Sequence, residues 1–86
     1  MECLIQHVDD EQRRLVVLAG RLAHHQVPDL LVVCAEAGGL KLVLDLADLL
    51  TADAAGSRAL RRLSLEGATL LNVSEYLRIK LDLTAP

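Results

Sequence analysis

Short apolar segments, separated by polar breaks and glycines, divide the chain into predicted strands and helices. Residues 3–8 mix apolar and polar positions, which predicts an edge strand, and residues 9–12 form a polar break typical of a hairpin turn. Residues 15–19 are apolar and include β-branched side chains, so they predict a buried strand that ends at Gly20. The chain is therefore expected to open with a β-hairpin.

The next segment carries a helical pattern. Pro28 suits the first turn of a helix, where its missing N–H costs nothing. Apolar residues at helical spacing form one predicted inward stripe, made of Val27, Leu30, Leu31 and Cys34. Gly38 and Gly39 would end this helix. Residues 40–46 are almost continuously apolar, which predicts a strand covered on both faces by helices.

A second helix is predicted after Asp53, whose side chain can accept hydrogen bonds from free N–H groups of the first turn. Its apolar positions form a predicted core stripe of Ala55, Ala59, Leu60 and Leu63. Its opposite side carries the basic residues Arg58, Arg61 and Arg62. Gly67 would end the helix, and residues 68–73 predict a third buried strand.

The last segment fits two patterns, because its apolar residues alternate with polar ones and also fit helical i,i+4 spacing. Ser74 as a helix cap favours a helix from Glu75 to about Leu83. The resulting order is β-β-α-β-α-β-α, in which strands linked by helices are expected to be parallel. The sequence thus predicts an α/β fold, with a mixed sheet of about four strands and three helices, in a single domain spanning residues 1–86.

Composition limits what such a domain does. A net charge of −3 and a single aromatic residue, Tyr76, argue against nucleic-acid binding, which uses basic surfaces and stacked aromatic rings. Cys3 and Cys34 lack metal-binding spacing and are expected to be buried, reduced thiols. No apolar run reaches the roughly 18 residues of a membrane span, and early acidic residues argue against a signal peptide. We therefore expect a cytoplasmic domain with no cofactor and no direct membrane insertion.

The histidines do not indicate a catalytic or metal site. His24 and His25 are adjacent, so on a regular element they point in different directions, and His7 is distant in sequence. The chain shows no ligand spacing typical of zinc and no glycine-rich phosphate loop. An enzyme is not expected, and a small nucleotide- or ligand-binding domain is the alternative from a different functional class.

Three motifs, in the same order as the predicted elements, resemble the STAS family, which is named for sulfate transporters and anti-sigma-factor antagonists. Residues 18–22, L-A-G-R-L, are similar to the strand end that leads into the first helix of the family. Residues 42–49, L-V-L-D-L-A-D-L, are similar to its central strand. Residues 53–56, D-A-A-G, stand where the antagonists carry D-S-S/T-G. The similarity covers roughly residues 13–81 and implies a STAS-like fold.

The resemblance also implies a non-enzymatic protein–protein interaction module, with an anti-sigma kinase or a related regulatory protein as partner. In the antagonists that kinase phosphorylates the serine after the aspartate, and here that position is Ala54. The usual switch is therefore chemically impossible at this site. Ser57 lies three residues further on and is expected to be a small helix residue whose hydroxyl bonds locally.

The loop before the second helix, and that helix itself, are the family's contact surface. The residues it places in a partner contact are Asp53, Ala54, Ser57, Arg58, Arg61 and Arg62. Two roles remain open for Asp53, a helix cap or a shaper of the partner-facing loop. The arginines could likewise contact an acidic partner or simply form a solvated helix face.

A second predicted contact lies on the first helix. Val32 and Val33 are expected opposite its core stripe, where a solvated face would be polar. An exposed apolar patch often marks an interface, so we expect these valines in a homodimer or partner contact. A different role within the same family also fits the chain. It could be a STAS subunit that docks on the ATPase of an ABC-type lipid transporter, which requires no phosphoserine.

Overall fold

The computed structural model describes residues 3–81 and contains four strands and three α-helices. In chain order the elements are β1 (Leu4–Asp9), β2 (Arg13–Leu22), a 3-10 turn (His24–Gln26), α1 (Val27–Ala35), β3 (Lys41–Ala52), α2 (Ala54–Leu65), β4 (Thr69–Leu71) and α3 (Glu75–Lys80). The predicted order and the mixed four-stranded sheet are therefore confirmed.

The strands lie side by side in sequence order. β1 and β2 form an antiparallel hairpin, whereas β3 pairs parallel to both β2 and β4. The hairpin turn is held by Asp10, whose Oδ1 accepts the N–H groups of Gln12 and Arg13 at 2.7 Å each. Aspartate favours such a turn because its short side chain can accept a hydrogen bond from the backbone N–H two residues further along the chain. The parallel pairs put the ends of β2 and β3 at one edge of the molecule.

One face of the sheet packs against the helices. Alternate residues of the central strands, such as Val16, Leu18 and Leu44, are fully buried in a single apolar cluster with Leu30 of α1 and Leu60 of α2. Alternation places the intervening side chains on the opposite face. Strand register gathers there the apolar residues Leu4, Val8, Leu15, Val17, Val43 and Leu71, which we call the open face. The prediction that helices cover both faces of β3 is thus wrong for the described residues.

Both central strands are longer than predicted. β2 continues through Gly20, whose φ of +99° is readily available only to glycine, and reaches Leu22. β3 runs on to Ala52 and pairs with β2 across two register shifts. Both strands thus continue past the apolar runs from which they were predicted. β4 is shorter than predicted and lies at the sheet edge, so it is half exposed and not a buried strand.

The helix faces also differ in detail from the predicted stripes. In α1, Leu30 and Cys34 are buried as expected, but Leu31 is 42% exposed. In α2, Ala55 is only half-buried, while its neighbour Gly56 is buried. The final helix is confirmed over Glu75–Lys80, with the Ser74 hydroxyl accepting the Leu77 N–H at 3.1 Å. The helix ends at its C-cap, Leu81, and the remaining predicted residues, 82–83, lie outside the described residues.

A buried arginine joins the hairpin to the helix layer. The Arg14 guanidinium donates to both carboxylate oxygens of Asp9, at 2.7 and 2.8 Å, and to the carbonyl oxygen of Val33 at 2.8 Å. This hydrogen bonding from Arg14 lowers the pKa of Asp9 below its ordinary value. The bidentate ion pair therefore joins β1 to β2 beside the hairpin turn, and the hydrogen bond to Val33 fixes this end of the hairpin to α1.

Candidate functional site

The candidate site begins where β3 passes into α2. Asp53 is the N-cap of α2: its Oδ1 accepts the Gly56 N–H at 2.8 Å. Its Oδ2 accepts the N–H of His24 at 2.8 Å, so the same carboxylate also holds the loop that follows β2. The bond from Gly56 is the main reason that the pKa of Asp53 is lowered. The predicted cap is confirmed, and the link to His24 is an addition that sequence spacing could not show.

Gly56 is required at its position by a close backbone contact. A Cβ atom at this residue would lie 2.7 Å from the carbonyl oxygen of Leu22 and 3.0 Å from the Cγ of the same residue. The first turn of α2 therefore packs directly on the end of β2. The backbone N–H of Asp53 also donates to the Leu22 carbonyl oxygen, at 3.0 Å. Together these contacts fix the start of α2 relative to the sheet.

Ala54 and Ser57 are oriented differently. Ala54 is the first residue of α2, and its methyl group is exposed. Ser57 is only 7% exposed, and its hydroxyl donates to the Ala52 carbonyl oxygen at 3.4 Å. The local bond expected for Ser57 is thus present. Its inclusion among the partner-contacting residues needs correction, because its hydroxyl is directed into the protein and little of its surface remains available.

The three predicted arginines line an open groove between α1 and α2. Arg58, Arg61 and Arg62 are all exposed along one side of α2. The groove has a volume of about 470 Å³, and its remaining lining is apolar: Val27, Leu31, Ala55, Ala59 and Leu65. We call these eight residues the α1–α2 groove. Two of its apolar members, Leu31 and Leu65, are exposed large side chains that the sequence pattern did not assign to a surface.

Contacts of the arginines only partly resolve the two roles left open for them. Arg62 Nε donates to Glu66 Oε2 at 3.2 Å, an i,i+4 pair between two largely exposed side chains. Such pairs are typical of a solvated helix face and contribute little to stability. Arg58 instead lies between the groove and the exposed Ala54, where it can reach a bound partner.

The predicted pair of valines on α1 does not form one exposed patch. Val32 is 53% exposed, but Val33 is half-buried and packs against the apolar core. The carbonyl of Val33 also accepts the hydrogen bond from Arg14, so this residue stabilises the packing of α1 on the sheet. Expecting both side chains on the outer face of α1 is wrong for Val33, whereas Val32 stays a candidate contact.

The described residues offer no metal cluster: no three His, Cys, Asp or Glu side chains among them are grouped to hold an ion. Cys3 and Cys34 are buried free thiols, and burial raises the pKa of both. Within residues 3–81 no helix has the length and apolar character needed to cross a membrane. The rings of His24 and His25 lie 5.5 Å apart at the surface. The most organised surface is therefore the start of α2 with the adjoining groove.

No protein-family model matches the sequence, and no curated protein is significantly similar to it. Several solved structures do share its fold. The anti-sigma factor antagonist SpoIIAA in its unphosphorylated form superposes with a TM-score of 0.72 at 22% identity, over 92% of this chain and 82% of SpoIIAA. A STAS domain of an antisigma-factor antagonist from Rhodobacter sphaeroides gives 0.58 at 22% identity, over 85% and 90% of the two chains.

A third structure extends the same fold to more distant sequences. It is an uncharacterized protein with a SpoIIAA-like fold from Shewanella loihica, with a TM-score of 0.57 at 14% identity, covering 95% of this chain and 75% of that one. At these identities the likeness shows the fold. The predicted STAS-like architecture is confirmed at that level.

Proposed function

We propose that this protein is a non-enzymatic interaction module that binds a regulatory protein, of the anti-sigma kinase kind, through the start of α2 and the α1–α2 groove. The fold is shared with an anti-sigma factor antagonist, which supports a role in protein binding. The observation that carries the proposal is the Asp53–Gly56 segment. Asp53 and Gly56 fix this turn to the sheet, while Ala54 and Arg58 remain at the surface.

The chemistry of the groove fits a protein partner. Protein interfaces combine an apolar centre with a polar rim, and arginine is enriched among their strongest contacts. Here apolar side chains such as Leu31 and Leu65 lie beside the exposed arginines of α2. A partner with an apolar surface bordered by carboxylates would be complementary to both parts. We infer that the complex forms in the cytoplasm.

Ala54 makes this binding independent of phosphorylation at the usual position. It occupies the exposed first position of α2, where free N–H groups and the helix dipole would favour a phosphate. A methyl group cannot accept one. Incubation with an anti-sigma kinase and ATP is expected to leave the mass of the segment 51–57 unchanged. The variant Ala54→Ser is the positive control, and a phosphate on the wild-type segment would contradict the proposal.

The direct test is calorimetric titration with anti-sigma kinases encoded in the same genome. Arg58→Glu removes a positive charge beside the groove and is expected to weaken binding about 10- to 100-fold, the range of a strong interface contact. Arg13→Glu is the charge-matched control, because Arg13 is exposed at the opposite end of the sheet. It should leave the dissociation constant within about twofold, as for an exposed side chain outside the interface.

Three results would count against the proposal. These are no binding to any such kinase, equal weakening by Arg58→Glu and Arg13→Glu, and capture of a transporter ATPase as the stoichiometric partner. The last result would instead make the chain a transporter subunit. In that case the same pair of variants would show whether the α1–α2 groove is the docking surface there.

A further inference from the structure

The α1–α2 groove continues into a second hollow at the start of α2. This hollow has a volume of about 270 Å³ and shares Arg58 and Arg61 with the groove, and its other lining residues are Ala54, Ser57 and Lys80. Lys80 is the last residue of α3, so a third helix contributes a cation to the same region. The groove and this hollow therefore form one continuous surface, which we call the α2 surface.

The α2 surface is basic, although the chain as a whole is acidic. The sequence carries 12 acidic and 9 basic residues, and four of the basic ones lie here: Arg58, Arg61, Arg62 and Lys80. Among the described residues, no carboxylate lines either hollow. Glu66 accepts a hydrogen bond from Arg62, but an exposed pair contributes little, so Arg62 can exchange it for a carboxylate of a partner. This charge favours an acidic ligand.

The shape of the groove fits a helix. Ala55 and Ala59 are about one helical turn apart, and their small side chains form a low floor along α2. Val27 and Leu31 of α1 have the same spacing and line the other side, and Leu65 marks the far end. From Ala55 to Leu65 the groove follows α2 for about 15 Å, at a rise of about 1.5 Å per residue. This length accommodates about three turns of a bound helix.

An amphipathic helix is the kind of partner segment that would use both the shape and the charge. Such a helix places apolar side chains, spaced three or four residues apart, in a groove, while its polar side chains reach the rim. Leu31 and Leu65 are exposed and offer the apolar contacts, and the arginines of α2 with Lys80 offer the cations. The surface is made by helices, so it has no strand edge with which an extended segment could pair.

We propose that the α2 surface binds an acidic amphipathic helix of the partner, whose apolar side chains contact Leu31 and Leu65 and whose carboxylates pair with Arg58 and Lys80. This inference rests on the proposed function for the identity of the partner, because it names the segment that the partner presents to the same surface. It adds Lys80, on α3, to the residues that select the partner.

Fluorescence anisotropy with a synthetic peptide tests the proposal without the partner. The probe is a labelled, hydrocarbon-stapled helix of about 12 residues, with leucines at i, i+4 and i+7 and glutamates beside them. Its counterpart carries a lysine in place of every glutamate. We expect the acidic peptide to bind at least about tenfold more tightly than the basic one, because only the acidic peptide is complementary in charge.

Substitutions of exposed residues identify the surface that binds the acidic peptide. Leu65→Asp should weaken binding about tenfold or more, and Leu50→Asp is its matched control, because Leu50 is 62% exposed on β3, outside the α2 surface. Lys80→Glu should likewise weaken binding about tenfold, whereas Lys41→Glu, at an exposed lysine at the start of β3, should leave it unchanged. Circular dichroism of each variant confirms that the fold is retained.

The peptide results support or overturn the proposal directly. It is overturned if the acidic peptide does not bind, if the basic peptide binds equally well, or if the control substitutions weaken binding as much as Leu65→Asp and Lys80→Glu do.

Titration of the same variants with the kinase separates this inference from the proposed function. Peptide binding as expected, with no binding to any anti-sigma kinase, would support the acidic helix and contradict the proposed partner. Kinase binding that Arg58→Glu weakens, but that Leu65→Asp and Lys80→Glu leave unchanged, would overturn the acidic helix and leave the proposed function standing.

Discussion

Aspartates hold the two ends of the sheet in different ways. At one end, Asp9 takes both of its bonds from the buried guanidinium of Arg14, which also reaches the Val33 carbonyl. At the other end, Asp53 accepts the backbone N–H groups of His24 and Gly56, and the exposed imidazole Nδ1 of His24 lies 3.6 Å from its Oδ2. In the first link the charged side chain of Arg14 is buried, and it is therefore not available to a partner. The second link fixes two backbone segments at the surface, and the side chains of Ala54 and Arg58 at the start of α2 stay exposed.

The largest expected effect comes from a substitution at the Asp53 end of the sheet, where Gly56 contacts the backbone of Leu22. Gly56→Ala places a Cβ atom 2.7 Å from the Leu22 carbonyl oxygen, so the start of α2 must move. We expect a loss of about 1–3 kcal/mol in the free energy of unfolding, as for other overpacked sites. This loss would exceed the roughly 1 kcal/mol that alanine gains over glycine in a helix. Urea unfolding measures it.

Gly39→Ala is the control for that experiment. A Cβ atom at Gly39 meets nothing within 4 Å, and its φ lies outside the positive range. This change should be neutral or slightly stabilising, because alanine restricts the unfolded chain. Equal destabilisation by the two variants would show that the Leu22 contact does not require a glycine at position 56.

The next largest effect is expected at the Asp9 end of the sheet, from loss of the Arg14 hydrogen bonds. Arg14→Met keeps a long apolar side chain but removes the donors to Asp9 and to the Val33 carbonyl. Arg13→Met removes the neighbouring exposed arginine, which lies 4.0 Å from Asp10. We expect the loss of unfolding free energy to be several times larger for Arg14→Met, because exposed pairs contribute little. If urea unfolding gives similar losses of unfolding free energy for the two variants, the buried Arg14 ion pair stabilises the fold no more than an exposed pair does.

A smaller effect separates the two bonds of Asp53. Asp53→Asn keeps one oxygen that can accept the Gly56 N–H, whereas Asp53→Ala removes both acceptors. The order of stability in urea should be wild type, then Asn, then Ala, since asparagine is also a good N-cap. If Asn and Ala destabilise equally, the bond to His24 is the one that matters. Kinase binding measured on the Asn variant would show whether the charge of Asp53 is itself recognised.

The smallest expected effect is the pH dependence of the stability that Asp9 and Asp53 contribute at the two ends of the sheet. The pKa of Asp9 is lowered by Arg14 and that of Asp53 by the Gly56 N–H, so below the ordinary value of 3.8 the unfolded chain binds more protons than the native state. The stability from both links is therefore complete at neutral pH and falls as the pH drops through this region. The difference in urea midpoint between wild type and Asp9→Asn should shrink on acidification. A difference that stays constant would contradict the role of the charge.

Much of the fold was predictable because it depends on local patterns. The hairpin, the order of elements and the caps of α2 and α3 follow from apolar runs, turn residues and the positions of Asp53 and Ser74. The lengths of the central strands did not follow, because Gly20 continues β2 at positive φ and β3 extends beyond its apolar run across two register shifts. The open face was missed because a continuous apolar run does not show which side the helices cover.

The candidate site was predictable only in part for a related reason. Asp53 and the arginines of α2 were found because a cap and a charged helix face are local features. The contact of Gly56 with Leu22 joins segments far apart in sequence, and no local pattern records it. The inward direction of Ser57 and the exposure of Leu31 likewise depend on how α1 and α2 pack together.

The contact between Gly56 and Leu22 also has an evolutionary consequence. Mutation at position 54 changes only an exposed methyl group, so natural drift can add or remove a hydroxyl there without disturbing the backbone. Any side chain added at position 56 would instead lie 2.7 Å from the Leu22 carbonyl oxygen, so the backbone would have to shift. The structure of this loop therefore tolerates a serine as readily as an alanine at position 54, whereas it requires a glycine at position 56.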